Sequence, residues 1–467
     1  MTAYSEFLAR KSPLIPPCGM KVVPDLPAAM KPFQDAITGW ALRRGRAAMF
    51  ANTGLGKTLM QLAWARAVVN HANRPVLILC PLAVAEQTIE EARRWGIASV
   101  AYAADDSQAT AEIVVSNYER FEKFEIERFG GIVLDESGIL KSHDGKTRQL
   151  LTERCSRLPW RLCCTATPAP NDYTELGQHA EFLGVMTFKE MLSMFFVHDG
   201  KVRAPGASGV DGWRLKRHAE KDFWRWLASW SVMIRSPEDL GFDGAEYQLP
   251  ELLMFETRVA VEYRPTDGLL FPVEARTLSE RISARKTSAH DRVGATVGLV
   301  EADPDEAWLI WCNLNSEADL IERQLAHLGA KQIKGADTIP TKIDRLIGFK
   351  TGKPPILVTK PSIAGHGMHY AHCARMAFVG LTDSFEQVYQ AIRRCWRFGQ
   401  VRPVHVHMVA SELEGAVVAN LRRKELDYDK MLDAMSGHMR DLMRETIKGG
   451  RIANSEYHPK QRMALPW

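Results

Sequence analysis

A phosphate-binding loop is indicated by the run Thr53-Gly54-Leu55-Gly56-Lys57-Thr58, which follows an apolar segment and opens a helical pattern. Glycines let the main chain curl so that its N–H groups point at anionic oxygens. Lys57 is then placed to reach the β- and γ-phosphates of a nucleotide, and the Thr58 hydroxyl to bind Mg²⁺. The longer form of this pattern has a glycine at position 51, where this chain has alanine. The loop predicts a nucleoside triphosphate site.

Two adjacent acids, Asp135 and Glu136, follow the apolar run Ile132–Leu134. Carboxyl ends of parallel strands meet at one edge of a sheet, so we expect these acids beside the phosphate loop. Asp135 would then hold Mg²⁺, and Glu136 would orient and deprotonate an attacking water. A solvated acidic turn is the alternative, and the neighbouring Lys57 and Thr58 make the metal–phosphate interpretation the better one.

The elements that must position these residues are short continuous apolar runs separated by helical sequence. Continuous rather than alternating runs favour buried parallel strands with helices on both faces. We therefore predict an α/β fold made of two units, with one helix from Lys57 to about Asn70. The predicted strands are 47–52, 76–80, 112–116, 131–134 and 161–165 in the first unit, and 307–312, 355–359, 376–380 and 404–409 in the second.

Composition shifts divide the chain into five segments. They are an N-terminal extension (1–29), a first α/β unit (30–182), a helical insertion (183–250), a second α/β unit (251–410) and a helical C-terminal extension (411–467).

Tryptophans and basic residues alternate in the insertion. Such a pattern can stack bases or form the core of a small helical subdomain, and we prefer the core for the tryptophans. The basic residues are better placed to contact phosphate. The residues concerned are Trp213, Trp224, Trp226 and Trp230, and Arg214, Lys216 and Arg217.

Composition excludes several classes of protein. The chain has 467 residues, 46% hydrophobic and 25% charged, with a formal net charge of +4, which excludes a disordered chain, a bare coiled coil and a histone-like basic binder. It lacks the apolar stretch of about 18 residues that a membrane span needs, and a secretory signal. The chain has eight cysteines and no CxxC pair, and Cys80, Cys164 and Cys312 lie in apolar runs. We therefore predict reduced thiols, without structural zinc or disulfides, in a cytoplasmic protein.

Taken in order, stretches between residues 30 and 410 resemble the superfamily-2 helicases, most closely the Swi/Snf-type DNA translocases. The resemblance implies two tandem RecA-like domains that bind ATP and Mg²⁺ between them, and a double-stranded DNA partner. It adds Gln34 as an adenine-reading residue and Gly367 as a nucleotide contact. It makes Thr165 and Thr167 coupling residues, and Pro81, Ser116 and Asn117 DNA contacts. The run Val379–Gln400 is most similar to phage- and prophage-encoded members.

In that run, Gln390, Arg394 and Arg397 match the family's catalytic positions. We expect the two arginines on one helix face, reaching across the cleft to the γ-phosphate. Arg393 stands where the family has glycine, and we interpret it as a surface residue. Other departures are Trp396 at a usual histidine, Lys360-Pro361-Ser362 before Gly365, and Gly138 where His or Gln is usual.

The leading interpretation is a monomeric ATP-driven motor on double-stranded DNA. An RNA helicase is a second possibility, which the Phe398-Gly399-Gln400 ending and the insertion disfavour. An ATP-gated clamp that binds DNA without moving is a third, and Gly138 favours it. A GTPase-like switch lacks a guanine-reading NKxD stretch and gives residues 390–400 no role.

Overall fold

The structure is a computed structural model that describes residues 15–141, 145–170, 172–198, 212–260, 287–364, 369–382, 384–412 and 415–447. Within them the chain forms two parallel β-sheets with helices packed around them, which confirms the predicted α/β fold. None of the described helices is both long and apolar enough to cross a membrane.

Among the described residues, nine strands lie where the apolar runs predicted them, with ends that differ by at most two residues, and six further strands were not predicted. They are β1 (Arg46–Ala51), β2 (Val76–Cys80), β3 (Val100–Tyr102), β4 (Ile113–Asn117), β5 (Gly131–Asp135), β6 (Trp160–Thr165), β7 (Phe196–His198), β8 (Trp213–Leu215), β9 (Ser231–Ile234), β10 (Leu252–Val259), β11 (Trp308–Cys312), β12 (Lys331–Gln332), β13 (Ile356–Thr359), β14 (Arg375–Val379) and β15 (Val404–Ser411).

The helices connect and cover these strands. They are α1 (Pro32–Arg44), α2 (Lys57–Ala72), α3 (Leu82–Arg94), α4 (Lys146–Arg154), α5 (Leu176–Leu183), α6 (Phe188–Phe195), α7 (Glu220–Ala228), α8 (Ala289–Glu301), α9 (Asn315–Gln324), α10 (Ile339–Lys350), α11 (Pro361–Ala364), α12 (Phe385–Ile392) and α13 (Gly415–Ile447).

The first sheet has the strand order β3-β4-β2-β5-β6-β1-β9, and all its pairs are parallel. Strands β5, β6 and β1 lie next to one another in this order. The three chain segments that follow them therefore start side by side, at the carboxyl ends of the strands. The edge strand β9 comes from the segment that we predicted as an insertion, 183–250. Sequence patterns did not predict this strand, Ser231–Ile234.

The second sheet has the order β10-β15-β14-β11-β13-β12, again with parallel pairs. Both of its faces are buried. Trp308 and Ile310 pack in one apolar core, whereas Leu309 and Trp311 pack in another that is continuous with the core of the first unit. Burial on both faces explains why β11 is a continuous run of apolar residues in the sequence.

The tryptophans of the segment 183–250 form a core, as we preferred. Trp224, Trp226 and Trp230 are at most 2% exposed and pack with Phe195 and Phe223. The antiparallel hairpin β7–β8 stands beside this cluster.

Helix α13 follows the last strand of the second sheet and packs against the first unit. The ring of His438 stacks on Trp224, with ring centres 5.4 Å apart, and Tyr428 donates a hydrogen bond to the carbonyl oxygen of Ala166 (3.1 Å). The two units are therefore joined by packing as well as by the chain, and the helical C-terminal extension is present over residues 415–447.

Candidate nucleotide-binding site between the two sheets

The predicted phosphate loop connects β1 to α2. Gly54 and Gly56 have φ values of +92° and +77°, in the left-handed region that glycine adopts without strain. A side chain at Gly56 would overlap the amide nitrogen of Gln34, and one at Gly54 would lie 3.0 Å from Cβ of Phe398. The loop is therefore packed from both sides: Gln34 belongs to the first unit and Phe398 to the second.

Lys57 lies within this loop. Its Nζ donates hydrogen bonds to the carbonyl oxygens of Ala51 (2.8 Å) and Asn52 (3.3 Å). Burial lowers the pKa of the ammonium group. The charges of Glu136 and then Asp135 act in the opposite direction, and Arg397 of the second unit lowers the pKa further. Lys57 thus belongs to one cluster of charges with the two acids and an arginine from the other sheet.

Asp135 ends β5 and is held from two sides. Gln61 Nε2 donates to its Oδ1 (2.7 Å), and the Tyr118 hydroxyl donates to its main-chain oxygen (2.6 Å). Burial, followed by the charge of Glu136, raises the pKa of the Asp135 carboxyl to about 6. Thr58 precedes Gln61 by three residues on α2 and so shares its helix face. This set of a carboxylate and a hydroxyl oxygen fits the preference of Mg²⁺ for hard oxygen ligands.

Glu136 has an unusual main-chain conformation. Its φ is +55°, a left-handed conformation that costs a residue with a side chain roughly 1–3 kcal/mol and is found mostly at functional sites. Thr165 at the end of β6 donates to Glu136 Oε2 (3.3 Å), and the Thr167 main-chain N–H donates to Thr165 Oγ1 (3.1 Å). The acid is therefore hydrogen-bonded to Thr165, and through Thr165 it is connected to Thr167, the second residue that the resemblance identified as a coupling residue.

A buried histidine lies behind this acid. His179 on α5 has no exposed surface, and its Nε2 is 3.2 Å from the hydroxyl oxygen of Ser137, the residue after Glu136. Burial lowers the pKa of His179 to about 4, so its ring is neutral near pH 7. Sequence motifs did not indicate this pair, because His179 lies 42 residues from Ser137 in the chain.

The two arginines of the second unit do not lie on a helix, which corrects our expectation. Helix α12 ends at Ile392, and the residues after it form tight turns in which Arg394 N–H bonds to the carbonyl oxygen of Ala391. Burial lowers the pKa of Arg394, whereas Glu136 and Asp135 raise it. Burial, and then Arg394, lower the pKa of Arg397 to about 10. Both arginines nevertheless face the charge cluster of the first unit.

Arg393 is buried, so our interpretation of it as a surface residue is wrong. Its guanidinium carbon lies 4.3 Å from the ring centre of Trp396 and 5.0 Å from that of Tyr389. The Tyr389 hydroxyl in turn donates to Asn52 Oδ1 in the phosphate loop (3.3 Å). Two positions where this chain departs from the family pattern, 393 and 396, therefore pack together at the boundary of the two units.

Gln34 contacts the loop directly. Its Nε2 donates to the carbonyl oxygen of Leu55 (3.0 Å), and its Oε1 accepts from the Lys31 main chain (2.9 Å). Next to it, Tyr247 stacks on Phe398 with ring centres 4.9 Å apart and meets Phe33 edge-on. Gln390 is also buried, and its carbonyl oxygen accepts from Arg394 Nε (3.3 Å). Gly367 lies outside the described residues.

Of the residues predicted to contact DNA, Pro81, Ser116 and Asn117 lie together, at the ends of the paired strands β2 and β4. Ser116 is fully buried and its hydroxyl donates to the Ala103 carbonyl oxygen (2.7 Å), while the buried Asn117 bonds to Glu119 and Tyr102. These two residues stabilise the end of β4 and are not accessible to DNA in this structure. Pro81, at the start of α3, is partly exposed.

The hairpin residues divide into two kinds. Arg214 and Arg217 are exposed. Lys216 instead donates to the carbonyl oxygens of Ser193 (2.7 Å) and Met194 (3.2 Å) at the end of α6. Lys216 therefore holds the hairpin on the helix, whereas the two arginines face solvent.

Residues 40–199 match the family model described as the SNF2-related domain. This stretch, about a third of the chain, contains the phosphate loop, both acids and Thr165. No curated protein matches the chain. Among solved structures, the chain is similar to the Sulfolobus solfataricus SWI2/SNF2 ATPase core in complex with dsDNA, at 18% identity and a TM-score of 0.40, over 91% of this chain and 98% of that chain.

Proposed function

We propose that this chain is an ATP hydrolase whose two α/β units close on the nucleotide and use its hydrolysis to move along double-stranded DNA. The observation that carries the proposal is the convergence of charges from two sheets. The charge of Arg397 in the second unit lowers the pKa of Lys57 in the first, and the charges of Glu136 and Asp135 in the first unit raise the pKa of Arg394 in the second. The match of residues 40–199 to the SNF2-related domain supports the same function.

We assign each of these residues a role in the proposed reaction. The loop and Lys57 bind the β- and γ-phosphates, and Thr58 and Asp135 would hold Mg²⁺, which supplies charge neutralisation when bound. Glu136 orients the attacking water and takes its proton. Arg394 and Arg397 neutralise charge on the phosphoryl group that is transferred. Because the arginines belong to the other sheet, hydrolysis requires that the two units be closed.

Steady-state ATP turnover with no nucleic acid, single-stranded DNA, duplex DNA and RNA tests the proposal. We expect the largest stimulation with duplex DNA, and ATP-dependent displacement of a third strand bound to that duplex. Stimulation by RNA alone would favour the RNA helicase, and stimulation by duplex without displacement would favour the clamp. Turnover that no nucleic acid stimulates would contradict all three.

Glu136→Gln is the matched control for these assays. The variant keeps Thr58 and Asp135, and so should bind ATP and Mg²⁺ while losing hydrolysis. Loss of nucleotide binding together with turnover would assign Glu136 to the metal or to the fold. The phage origin, the cytoplasmic location and the monomeric state suggested by the sequence remain predictions.

A further inference from the structure

Glu386 extends from the second unit into the first. It lies in the first turn of α12, and its side chain is 16% exposed. One carboxylate oxygen forms an ion pair with Lys141, and the other accepts a hydrogen bond from the Thr167 hydroxyl (3.5 Å). Both partners belong to the first unit, in segments that follow β5 and β6. Glu386 lies inside the run Val379–Gln400, but the sequence assigned it no role.

These contacts continue to the acid that activates water. Thr167 donates its hydroxyl to Glu386 and its main-chain N–H to Thr165 Oγ1 (3.1 Å), and Thr165 donates to Glu136 Oε2 (3.3 Å). A continuous series of hydrogen bonds therefore joins a carboxylate of the second unit to Glu136 of the first. The two bonds at Thr165 Oγ1 polarise one another, and Thr167 connects them to Glu386 sterically, because its side chain and its main-chain N–H belong to one residue.

Gly138 leaves room for this carboxylate. A Cβ at this position would lie 3.3 Å from Glu386 Oε1, 3.9 Å from the Thr167 carbonyl oxygen and 4.0 Å from Thr165 Oγ1. The φ of Gly138 is not in the left-handed region, so its main-chain conformation does not require glycine. The absence of a side chain is instead explained by space, because the Glu386 carboxylate lies over it.

The helix that carries Glu386 also carries the contacts of the nucleotide site. Tyr389, one turn later, donates to Asn52 of the phosphate loop, and the chain then enters the turns with Arg394. A movement of α12 relative to the first unit therefore displaces the arginine and Glu386 together. The position of α12 relative to the first unit therefore affects two things. It sets where the arginine that neutralises charge lies, and it determines whether Glu136 keeps its hydrogen bonds.

We propose that Glu386 is a positioning residue that transmits closure of the second unit to Glu136 through Thr167 and Thr165. This inference rests on the proposed ATP hydrolysis and goes beyond it, since it assigns the coupling to one carboxylate and to the space at Gly138. In the closed state the series of bonds holds Glu136 in its catalytic orientation. When the units separate, Thr167 loses its partner and Glu136 loses this restraint.

The test compares kcat and the ATP dissociation constant of the full chain with saturating duplex DNA. Glu386→Ala should lower kcat about tenfold or more, the range for loss of coupling within one hydrogen-bond network, with ATP affinity and melting temperature close to wild type. Asp291→Asn is the matched control, because Asp291 is an exposed acid in the first turn of α8 in the same unit. It should behave as wild type.

Two further variants distinguish positioning from a general loss of packing. Glu386→Gln keeps an acceptor for Thr167 but loses the ion pair, so it should retain more turnover than Glu386→Ala. Thr167→Val should lower kcat as well, and combining it with Glu386→Ala should add little, since both interrupt one series of bonds. Fully additive effects, or a Gln variant as slow as the Ala variant, would overturn the proposed path.

The outcomes separate this inference from the proposed function. If the wild type hydrolyses ATP and Glu386→Ala matches Asp291→Asn, the function stands and the coupling role is overturned. If the wild type is as inactive as Glu136→Gln, the function is overturned and the inference with it. If Glu386→Ala unfolds, Gly138→Ala is used instead, because its methyl group displaces the Glu386 carboxylate from the side of the first unit. Unchanged turnover in that variant would overturn the positioning role of Glu386.

Discussion

The two halves of the candidate site are built in different ways. In the first unit, Lys57 follows β1, and Asp135 and Glu136 stand at the end of β5, on the other side of β6, and all three are fixed by hydrogen bonds within the unit. In the second unit, Arg394 and Arg397 lie on turns after the end of α12, and they reach the first unit because α12 and these turns pack against its phosphate loop. Under the proposed function, phosphate binding is therefore preorganised, whereas the groups that complete hydrolysis depend on how the units are placed.

The largest expected effect tests the half that depends on closure. Arg397→Ala should lower kcat on the order of 10³-fold, as for loss of an arginine that neutralises the transferred phosphoryl group. ATP affinity should change much less, because the arginine reaches the phosphate fully only in the closed state. Both quantities are measured with saturating duplex DNA.

The control for this variant is Arg402→Ala. Arg402 is an exposed arginine of the same unit that pairs with Glu306. Arg393 is unsuitable as a control, since it is buried between two aromatic rings. If Arg397→Ala and Arg402→Ala both hydrolyse ATP nearly as fast as wild type, Arg397 does not neutralise charge on the transferred phosphoryl group.

The second prediction tests the preorganised half. Lys57→Ala should lower turnover at least about 10²-fold, the effect of losing one preorganised electrostatic interaction. Unlike Arg397→Ala, it should also weaken ATP binding, because the ammonium group is already in the loop before closure. Near-normal hydrolysis by purified Lys57→Ala would refute the phosphate-loop assignment.

The difference between the two halves of the site also explains which of its features could be predicted from sequence. Residues next to one another in the chain, such as the phosphate loop and the Asp135–Glu136 pair, were recognised because local order and strand ends place them. Glu386, Gln61 and His179 were missed, because each acts on a residue far away in the chain. The helix end at Ile392 was also missed: the spacing of Arg394 and Arg397 fits a helix, but tertiary packing replaces it with turns.

The third prediction concerns the support behind Glu136. The pKa of His179 is about 4 in the folded chain and 6.5 ordinarily, so below pH 6.5 the unfolded state binds more protons than the folded state. Its contribution to stability is complete above pH 6.5 and is lost as the pH falls toward 4. At pH 5 the loss is about 2 kcal/mol. Chemical denaturation of wild type and His179→Gln across this range measures it.

In that comparison, the variant should show a shallower fall in the free energy of unfolding between pH 6.5 and 4, since it lacks the titrating ring. Parallel curves for the two proteins would mean that His179 is protonated in the folded state, and that its interaction with Ser137 is not that of a neutral ring.

The smallest expected effect concerns the hairpin, where preorganised and free basic groups stand side by side. Replacing Arg214 and Arg217 by Gln should weaken binding of duplex DNA and reduce the slope of log affinity against log salt by about 0.9 for each phosphate that the protein no longer neutralises. Lys216→Gln should leave that slope nearly unchanged and lower the melting temperature instead, because Lys216 bonds to the end of α6. A slope that responds to Lys216 and not to the two arginines would reverse this assignment. A slope that responds to none of the three would place the hairpin away from DNA, and the exposed charge on β8 would then be a solvated surface.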